Sequence, residues 1–298
     1  MNLKEFLSVT EIRTKTISLS SFFIGTLLAV NSGYPFSVVR FILMLTAVLG
    51  VDMGTTALNS YFDYKRGVDN IAYTDEKDKI LVIGGLHPFR VLLLALALFG
   101  IAGLFGTALI FKSGWHLLIF GIAGMAIGFL YNGGPLPISQ TPLGEIFAGG
   151  FLGPALIAAS YYAQAVSFSP LLVPASIPSF FLIASILTVN NTCDIRGDKA
   201  AGRKTLSILI GKKAAELLIY LAGAISAITI VVLGILGIFP PAASVAAVPG
   251  AGGAFYLYLK MHQRGYSHGT KGQSMMTILL IFIILTGSII LGHVIHLI

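Results

Sequence analysis

Charge is the scarcest property of this chain. Only 10% of its 298 residues are Asp, Glu, Lys or Arg, whereas soluble domains average roughly 25%. Hydrophobic residues make up 56% of the chain, which excludes both an ordinary soluble enzyme and a disordered protein. Cysteine is nearly absent as well, and the single Cys193 excludes a disulfide framework and a cysteine-rich zinc site.

Long apolar segments fill most of the sequence. A membrane-spanning helix needs about 20 mostly apolar residues. Nine segments approach that length: 17–31, 38–62, 90–111, 115–131, 145–165, 171–192, 213–237, 241–259 and 275–296. Residues 1–16 are polar and mixed in charge, so no cleavable signal peptide is predicted. We therefore predict an all-α membrane protein with nine transmembrane helices.

The basic residues indicate the orientation of these helices. With nine spans and a cytoplasmic N-terminus, 17 of the 19 Lys and Arg residues fall on one side of the membrane, and only Arg40 and Lys112 fall on the other. Because basic residues concentrate in cytoplasmic loops, this distribution favours a cytoplasmic N-terminus. The net charge of +7 reflects the same bias, so no nucleic-acid partner is predicted.

Polar residues gather toward the cytoplasmic end of the second predicted helix. One helical face carries Asp52, Thr56, Asn59 and Asp63. Polar groups are costly against lipid, so this stripe must face the bundle interior or a wet cavity. Gly67 lets the chain turn, which allows Asp69 to return toward Asp63. Two roles stay open for Asp52, a functional polar partner and a structural hydrogen bond.

A second polar cluster ends the sixth predicted helix. It consists of Asn190, Asn191, Asp194 and Asp198. The two carboxylates are four residues apart, a spacing at which like charges repel on a helix. A divalent cation between them removes the repulsion, and Mg²⁺ typically binds one or two carboxylates together with phosphate oxygens. Two such clusters at cytoplasmic helix ends predict a site for a magnesium-bound diphosphate.

Basic residues lie in the same two loops. They are Lys65, Arg66, Lys79, Arg203 and Lys204. Lys and Arg complement the negative charge of a diphosphate, so these side chains are predicted to bind it. Glu145 opens the fifth predicted helix, where an acidic side chain complements the helix dipole. His268 is interpreted as an ordinary loop residue.

The paired clusters resemble the Asp-rich motifs of the UbiA superfamily of intramembrane prenyltransferases. Several stretches are similar to its menaquinone branch, the 1,4-dihydroxy-2-naphthoate polyprenyltransferases: Arg13–Thr16, Asn59–Asp69, Leu130–Pro137 with Thr141–Glu145, and Asn190–Leu206. The resemblance implies a bundle around a central cavity and a single prenyltransferase domain over residues 1–298. It also implies an active site on the cytoplasmic side of the plasma membrane.

The resemblance further implies transfer of an isoprenyl chain from a polyprenyl diphosphate to an aromatic acceptor, with two Mg²⁺ ions as cofactors. Four carboxylates would bind the ions and act in catalysis: Asp63, Asp69, Asp194 and Asp198. Asn59 and either Asn190 or Asn191 would complete the coordination or orient its water. Tyr131 would flank the allylic cation.

Two alternatives stay open. A sister enzyme would prenylate 4-hydroxybenzoate, homogentisate, haem or a glycerol phosphate instead. A transporter can also place aspartates on broken helices beside a cavity, but transporters bind near the midplane and these aspartates cluster at one end. Metal-dependent release of diphosphate distinguishes an enzyme from a transporter.

Overall fold

Each long apolar run of the sequence forms a helix in the computed structural model, which describes residues 1–67, 81 and 85–298. The helices are α1 (Leu3–Val9), α2 (Lys15–Asn31), α3 (Val38–Lys65), α4 (Pro88–Ser113), α5 (His116–Asn132), α6 (Gly144–Gly150), α7 (Leu156–Ala165), α8 (Leu172–Cys193), α9 (Ile195–Ala200), α10 (Leu206–Ile210), α11 (Lys212–Ile235), α12 (Pro241–Arg264) and α13 (Lys271–Leu297). The described part of the chain contains no strand.

Local sequence explains where several helices begin and end. The Ser37 side chain caps α3 by accepting a hydrogen bond from a backbone N–H of its first turn. Pro88 and Pro241 begin α4 and α12, at positions where the missing N–H of proline has no helical partner to lose. After α3, Gly67 adopts a φ of +67° and turns the chain, as predicted.

A π-helical turn joins α6 to α7. It spans Phe151–Ala155 and contains Pro154, which has no N–H to donate. The wider turn accommodates this proline, so Gly144–Ala165 continues as one helix. The fifth predicted span is therefore a single membrane-length element.

Seven helices in the described part are long and apolar enough to cross a membrane, counting Gly144–Ala165 as one. α2 and α5 are shorter, with 17 residues each. Together these nine described helices coincide with the nine predicted segments. The prediction of an all-α membrane protein is confirmed, and the number of nine spans stays a prediction.

α8 lies at the centre of the bundle. In its most apolar window 61% of the residues are buried, against 17% for α12. α8 packs against α6, α11 and α13, with Leu182 and Val189 in the main core. Large side chains such as Phe111 and Ile235 stay exposed on outer helices, as expected where the surroundings are lipid. The second aspartate cluster thus ends a helix in the interior.

α2 and α7 approach each other closely at Gly25. A Cβ at this position would overlap the carbonyl oxygen of Ile157. Small residues allow such contacts between membrane helices. This pairing fixes one side of the cavity described next.

Candidate active site

A cavity of about 2320 Å³ lies inside the bundle. Ordinary ligand pockets measure about 300–1,000 Å³, so this one has room for more than a small molecule. Apolar side chains such as Val48, Met125 and Leu156 line much of it. Its polar end is lined by members of both predicted clusters, Asn59, Asp63, Asn190, Asn191, Asp194 and Asp198.

Arg203 connects the two clusters. Its guanidinium lies 3.1 Å from Asp198 Oδ1 and 3.7 Å from Asp63 Oδ1. The side chains of Arg203 and Asp198 are only 12% and 6% exposed. Because one side chain reaches a carboxylate of α3 and a carboxylate of α9, the two clusters face each other across the same cavity.

Burial and charge pairing shift the pKa values of these two side chains in opposite directions. Burial raises the pKa of the Asp198 carboxyl above its ordinary value, and Arg203 opposes the rise. Burial lowers the pKa of the Arg203 guanidinium, but Asp198 and Asp63 outweigh that effect and the pKa is raised. The ordinary pKa of Arg already exceeds about 12, so Arg203 is a permanent cation in the site.

Asp194 has different partners. Its Oδ2 lies 2.7 Å from Lys271 Nζ, and its Oδ1 lies 3.1 Å from His268 Nδ1. The repulsion expected between Asp194 and Asp198 is therefore relieved by two separate sets of basic side chains. His268 lies in the connection between α12 and α13, as its interpretation as a loop residue implies, but its ring also contacts a predicted metal ligand, which the sequence did not reveal.

Each cluster has a buried oxygen with no hydrogen-bond partner in the described part of the protein, Asn59 Oδ1 in the first and Asp198 Oδ2 in the second. Buried polar atoms are nearly always satisfied, so each has capacity for a further ligand. Carboxylate and amide oxygens are the donors that Mg²⁺ prefers. Among the described residues, no group of three or more His, Cys, Asp or Glu side chains could hold a metal ion. The chemistry of the two free oxygens fits Mg²⁺, which also binds phosphate oxygens and water.

The end of α5 completes the polar wall. Tyr131 lines the cavity within electrostatic range of Asp63 and Arg203. Asn132 is 3% exposed and donates from Nδ2 to Asp63 Oδ1 at 3.3 Å. A tyrosine ring and the carboxylate of α3 thus share one corner of the cavity.

Glu145 is a site residue that the sequence did not reveal. Its side chain is 3% exposed, and Oε1 accepts a 2.8 Å hydrogen bond from Asn191 Nδ2. The donor end of the Asn191 amide is therefore engaged, and its Oδ1 lies 3.4 Å from the amide nitrogen of Asn190. Glu145 orients a predicted ligand, which the helix-dipole interpretation missed because only the packing of α6 on α8 brings the two together.

The other predicted diphosphate ligands and one predicted metal ligand lie outside the cavity wall or outside the described residues. Lys65 Nζ lies 5.4 Å from the centre of a neighbouring tyrosine ring. Arg66 donates to the backbone carbonyls of Asn132, at the end of α5, and of Gly134. Lys204 is exposed. Asp69 and Lys79 lie outside the described residues. Of the described basic residues predicted from the two loops, only the bridging guanidinium lines the cavity.

Asp52 lies deeper in the bundle and forms an ion pair with Lys15. Lys15 Nζ lies 2.5 Å from Asp52 Oδ1 and 2.8 Å from Thr56 Oγ1, and Ser18 donates to Asp52 Oδ2. Lys15 is 2% exposed. The structural hydrogen bond expected for Asp52 is therefore present, and Asp52 also lines the cavity.

The fold and the site define an all-helical membrane protein with an acidic, arginine-bridged cavity. The sequence pattern of the UbiA prenyltransferase family matches residues 18–292. The chain belongs to this family, and it is an integral-membrane prenyltransferase. This finding confirms the resemblance carried by the paired aspartate clusters, and the transporter alternative is wrong.

Relatives with named activities indicate which branch of the family this chain is similar to. The 1,4-dihydroxy-2-naphthoate octaprenyltransferase of Bacillus subtilis (strain 168) is 38% identical over 233 residues, which cover 78% of this chain and 74% of that protein. UbiA prenyltransferase domain-containing protein 1 of Xenopus tropicalis is 30% identical over 193 residues, which cover 63% of this chain and 54% of that protein. The predicted similarity to the dihydroxynaphthoate branch is confirmed.

Solved structures share the fold. The apo UbiA homologue from Aeropyrum pernix K1 has a TM-score of 0.73 at 20% identity, covering 92% of this chain and 96% of that one. A UbiA homologue from Archaeoglobus fulgidus bound to DMAPP and Mg²⁺ has a TM-score of 0.60 at 17% identity, and the match covers 94% of this chain and 99% of that one. These similarities confirm the fold class.

Proposed function

We propose that this chain catalyses the Mg²⁺-dependent transfer of an isoprenyl chain from a polyprenyl diphosphate to 1,4-dihydroxy-2-naphthoate in menaquinone synthesis. The observation that carries the proposal is Arg203, which contacts a carboxylate of each cluster. One charged pocket at the end of a large apolar cavity suits a substrate with an anionic head and a lipid tail. The choice of acceptor rests on the similarity to the Bacillus subtilis relative.

The carboxylates of the two clusters are proposed to bind two Mg²⁺ ions. The ligands of one ion are Asp63 and Asp69, and those of the other are Asp194 and Asp198. Asn59 and either Asn190 or Asn191 complete the coordination or orient its water. A solved homologue bound to DMAPP and Mg²⁺ supports a prenyl diphosphate and Mg²⁺ as the ligands of this site. When bound, Mg²⁺ neutralises charge that develops on the departing diphosphate.

Arg203 and Tyr131 have complementary roles in the proposed reaction. Cleavage of the allylic C–O bond leaves its electron pair on the diphosphate, and Arg203 stabilises that charge. The Tyr131 ring flanks the allylic cation. The cation forms a C–C bond with the acceptor ring carbon, which loses its carboxyl group as CO₂. The apolar cavity wall keeps water from capturing the cation first.

The remaining basic residues act on the approach to the pocket. Lys65, Arg66 and Lys204 lie outside the cavity wall, at the same end of the bundle as the aspartates. We assign them, together with Lys79, to the capture of the anionic diphosphate from the cytoplasm and to contact with its outer oxygens. Arg203 is the inner cation of this series.

The proposed topology has nine spans within a single domain over residues 1–298. The N-terminus and the active site are on the cytoplasmic side of the plasma membrane. The charge bias, 17 of 19 basic residues on one side, supports this orientation. The 17 residues of α2 or of α5 extend about 25 Å, close to the roughly 30 Å of the hydrocarbon core.

Two aspartate variants test the proposal. Asp63→Asn and Asp194→Asn keep the shape of each side chain but remove its charge, so Mg²⁺ loses a ligand. In membranes supplied with dihydroxynaphthoate, a polyprenyl diphosphate and Mg²⁺, we expect diphosphate release to fall at least about a hundredfold. Glu216→Gln, near the start of α11, is the matched control and should retain full activity. Full turnover by both aspartate variants would contradict the metal assignment.

A further inference from the structure

A third loop brings positive charge to the site. It connects α12 to α13, carries His268 and leads directly into Lys271, the first residue of α13. Lys271 Nζ lies 2.7 Å from Asp194 Oδ2, and His268 Nδ1 lies 3.1 Å from Asp194 Oδ1. The side chains of Lys271 and Asp194 are 16% and 18% exposed, and both residues line the cavity. This loop is separate from the two that carry the aspartate clusters, and the function proposed above gives its lysine no role.

The loop is fixed to the body of the protein. Tyr266 is 2% exposed, and its hydroxyl donates to Tyr220 Oη at 3.2 Å. The Thr270 hydroxyl donates to the Gly265 carbonyl at 2.9 Å. Lys271 is the first residue of the 27-residue α13, whose inner face belongs to the main core. The backbone at Lys271 is therefore held in place, and its flexible side chain is the part that can change partners.

The pairing of Lys271 with Asp194 competes with metal binding. Two cations on one carboxylate repel each other at a separation of a few ångströms. A diphosphate relieves this repulsion, because it brings negative oxygens that can bind both the metal and an ammonium group. A lysine at this place therefore favours the metal and the diphosphate together over the metal alone.

We propose that Lys271 exchanges partners when substrate binds. It neutralises Asp194 in the substrate-free protein and pairs with a diphosphate oxygen once Asp194 binds Mg²⁺. This inference rests on the proposed function. It has a consequence that a structural lysine does not share: Lys271 weakens binding of the metal alone and strengthens binding of the diphosphate with its metal.

Two binding measurements on the purified full-length protein test this consequence. Lys271→Met removes the charge and keeps most of the chain length. Mn²⁺, a paramagnetic substitute for Mg²⁺, is titrated without diphosphate and followed by electron paramagnetic resonance. Inorganic pyrophosphate is titrated separately at saturating Mg²⁺ by calorimetry. We expect Mn²⁺ to bind about tenfold more tightly to the variant and pyrophosphate to bind about tenfold more weakly.

The controls isolate the charge at this position. Lys271→Arg keeps the charge and should retain pyrophosphate affinity. Lys213→Met changes an exposed lysine at the start of α11 that does not line the cavity, and it should change neither affinity. Lys271→Gln, which can still hydrogen-bond to Asp194, gives a second neutral variant with the same expectation should Lys271→Met not fold.

The outcomes separate this inference from the proposed function. If wild-type protein binds pyrophosphate with Mg²⁺ and the neutral variants bind it equally well, partner exchange is wrong and the proposed function stands. A fall in both affinities together with lower thermal stability also overturns partner exchange, because it indicates a structural lysine. If the wild type itself binds no pyrophosphate in the presence of Mg²⁺, the proposed function fails and this inference fails with it.

Discussion

Arg203→Met is expected to make the stability of the protein depend on Mg²⁺. In the wild type, the guanidinium lies 3.1 Å from Asp198 and 3.7 Å from Asp63. Methionine keeps the apolar stem but removes the charge. Asp198, whose side chain is 6% exposed, then becomes a buried carboxylate that has lost its directly paired cation.

The structure indicates the size of the effect. Removing one partner of a buried ion pair typically costs about 3–5 kcal/mol. Loss of the contact with Asp63 adds less, because that side chain is 15% exposed and still accepts a hydrogen bond from Asn132. Burial raises the pKa of Asp198, so uptake of a proton offsets part of the cost. We therefore expect the free energy of unfolding to fall by about 3 kcal/mol in the absence of Mg²⁺. Mg²⁺ should restore part of the lost stability by replacing the missing positive charge.

Thermal unfolding in detergent, with EDTA or with Mg²⁺, measures this effect. Arg203→Met should have a clearly lower Tm than the wild type in EDTA, and Mg²⁺ should raise it. Adding Asp198→Asn to the same chain removes the uncompensated charge, so the double variant should recover stability in EDTA and lose the response to Mg²⁺. Equal Tm values for Arg203→Met and wild type in EDTA would refute the argument.

Two further predictions concern the interior of the bundle. Asp52→Leu removes the carboxylate that pairs with the buried ammonium of Lys15, so it should lower the free energy of unfolding by about 3–5 kcal/mol, measured by thermal unfolding. Combining it with Lys15→Met removes the unpaired charge and should recover most of that stability. Additive losses in the double variant would count against the ion pair. Gly25→Ala places a methyl group against the Ile157 carbonyl and should cost about 1–3 kcal/mol. Gly100→Ala, whose new Cβ would meet no atom within 4 Å outside its own stretch of helix, should be neutral. Equal Tm values for these two variants would refute the close approach of α2 and α7.

The helices could be predicted because the membrane requires long apolar runs. The predicted segments 38–62 and 115–131 correspond to Val38–Lys65 and His116–Asn132. The ends were less predictable where polar residues continue a helix. α13 begins at Lys271, four residues before the predicted segment, directly after a capped turn whose hydrogen bonds involve Ser267 and Thr270. Hydrophobicity gives no signal for such a turn.

The candidate site could be predicted only in part. The aspartates stood out because each cluster ends an apolar helix. Arg203 was predicted because it lies in the same loop as the second cluster, but Lys271 was not, since it is far from Asp194 in the chain, as Lys15 is from Asp52. Glu145 was missed for the same reason. Pairing of this kind depends on how the helices pack, and no spacing along the chain encodes it.

Product mass spectrometry tests the central claim most directly. The purified protein is incubated with Mg²⁺, polyprenyl diphosphates of several lengths, and a panel of 1,4-dihydroxy-2-naphthoate, 4-hydroxybenzoate and homogentisate. We expect a prenylated naphthalene product that has lost CO₂, formed only with Mg²⁺ and not by Asp63→Asn. Prenylation of another acceptor in its place, or formation of the product without Mg²⁺, would show that the proposed function is wrong.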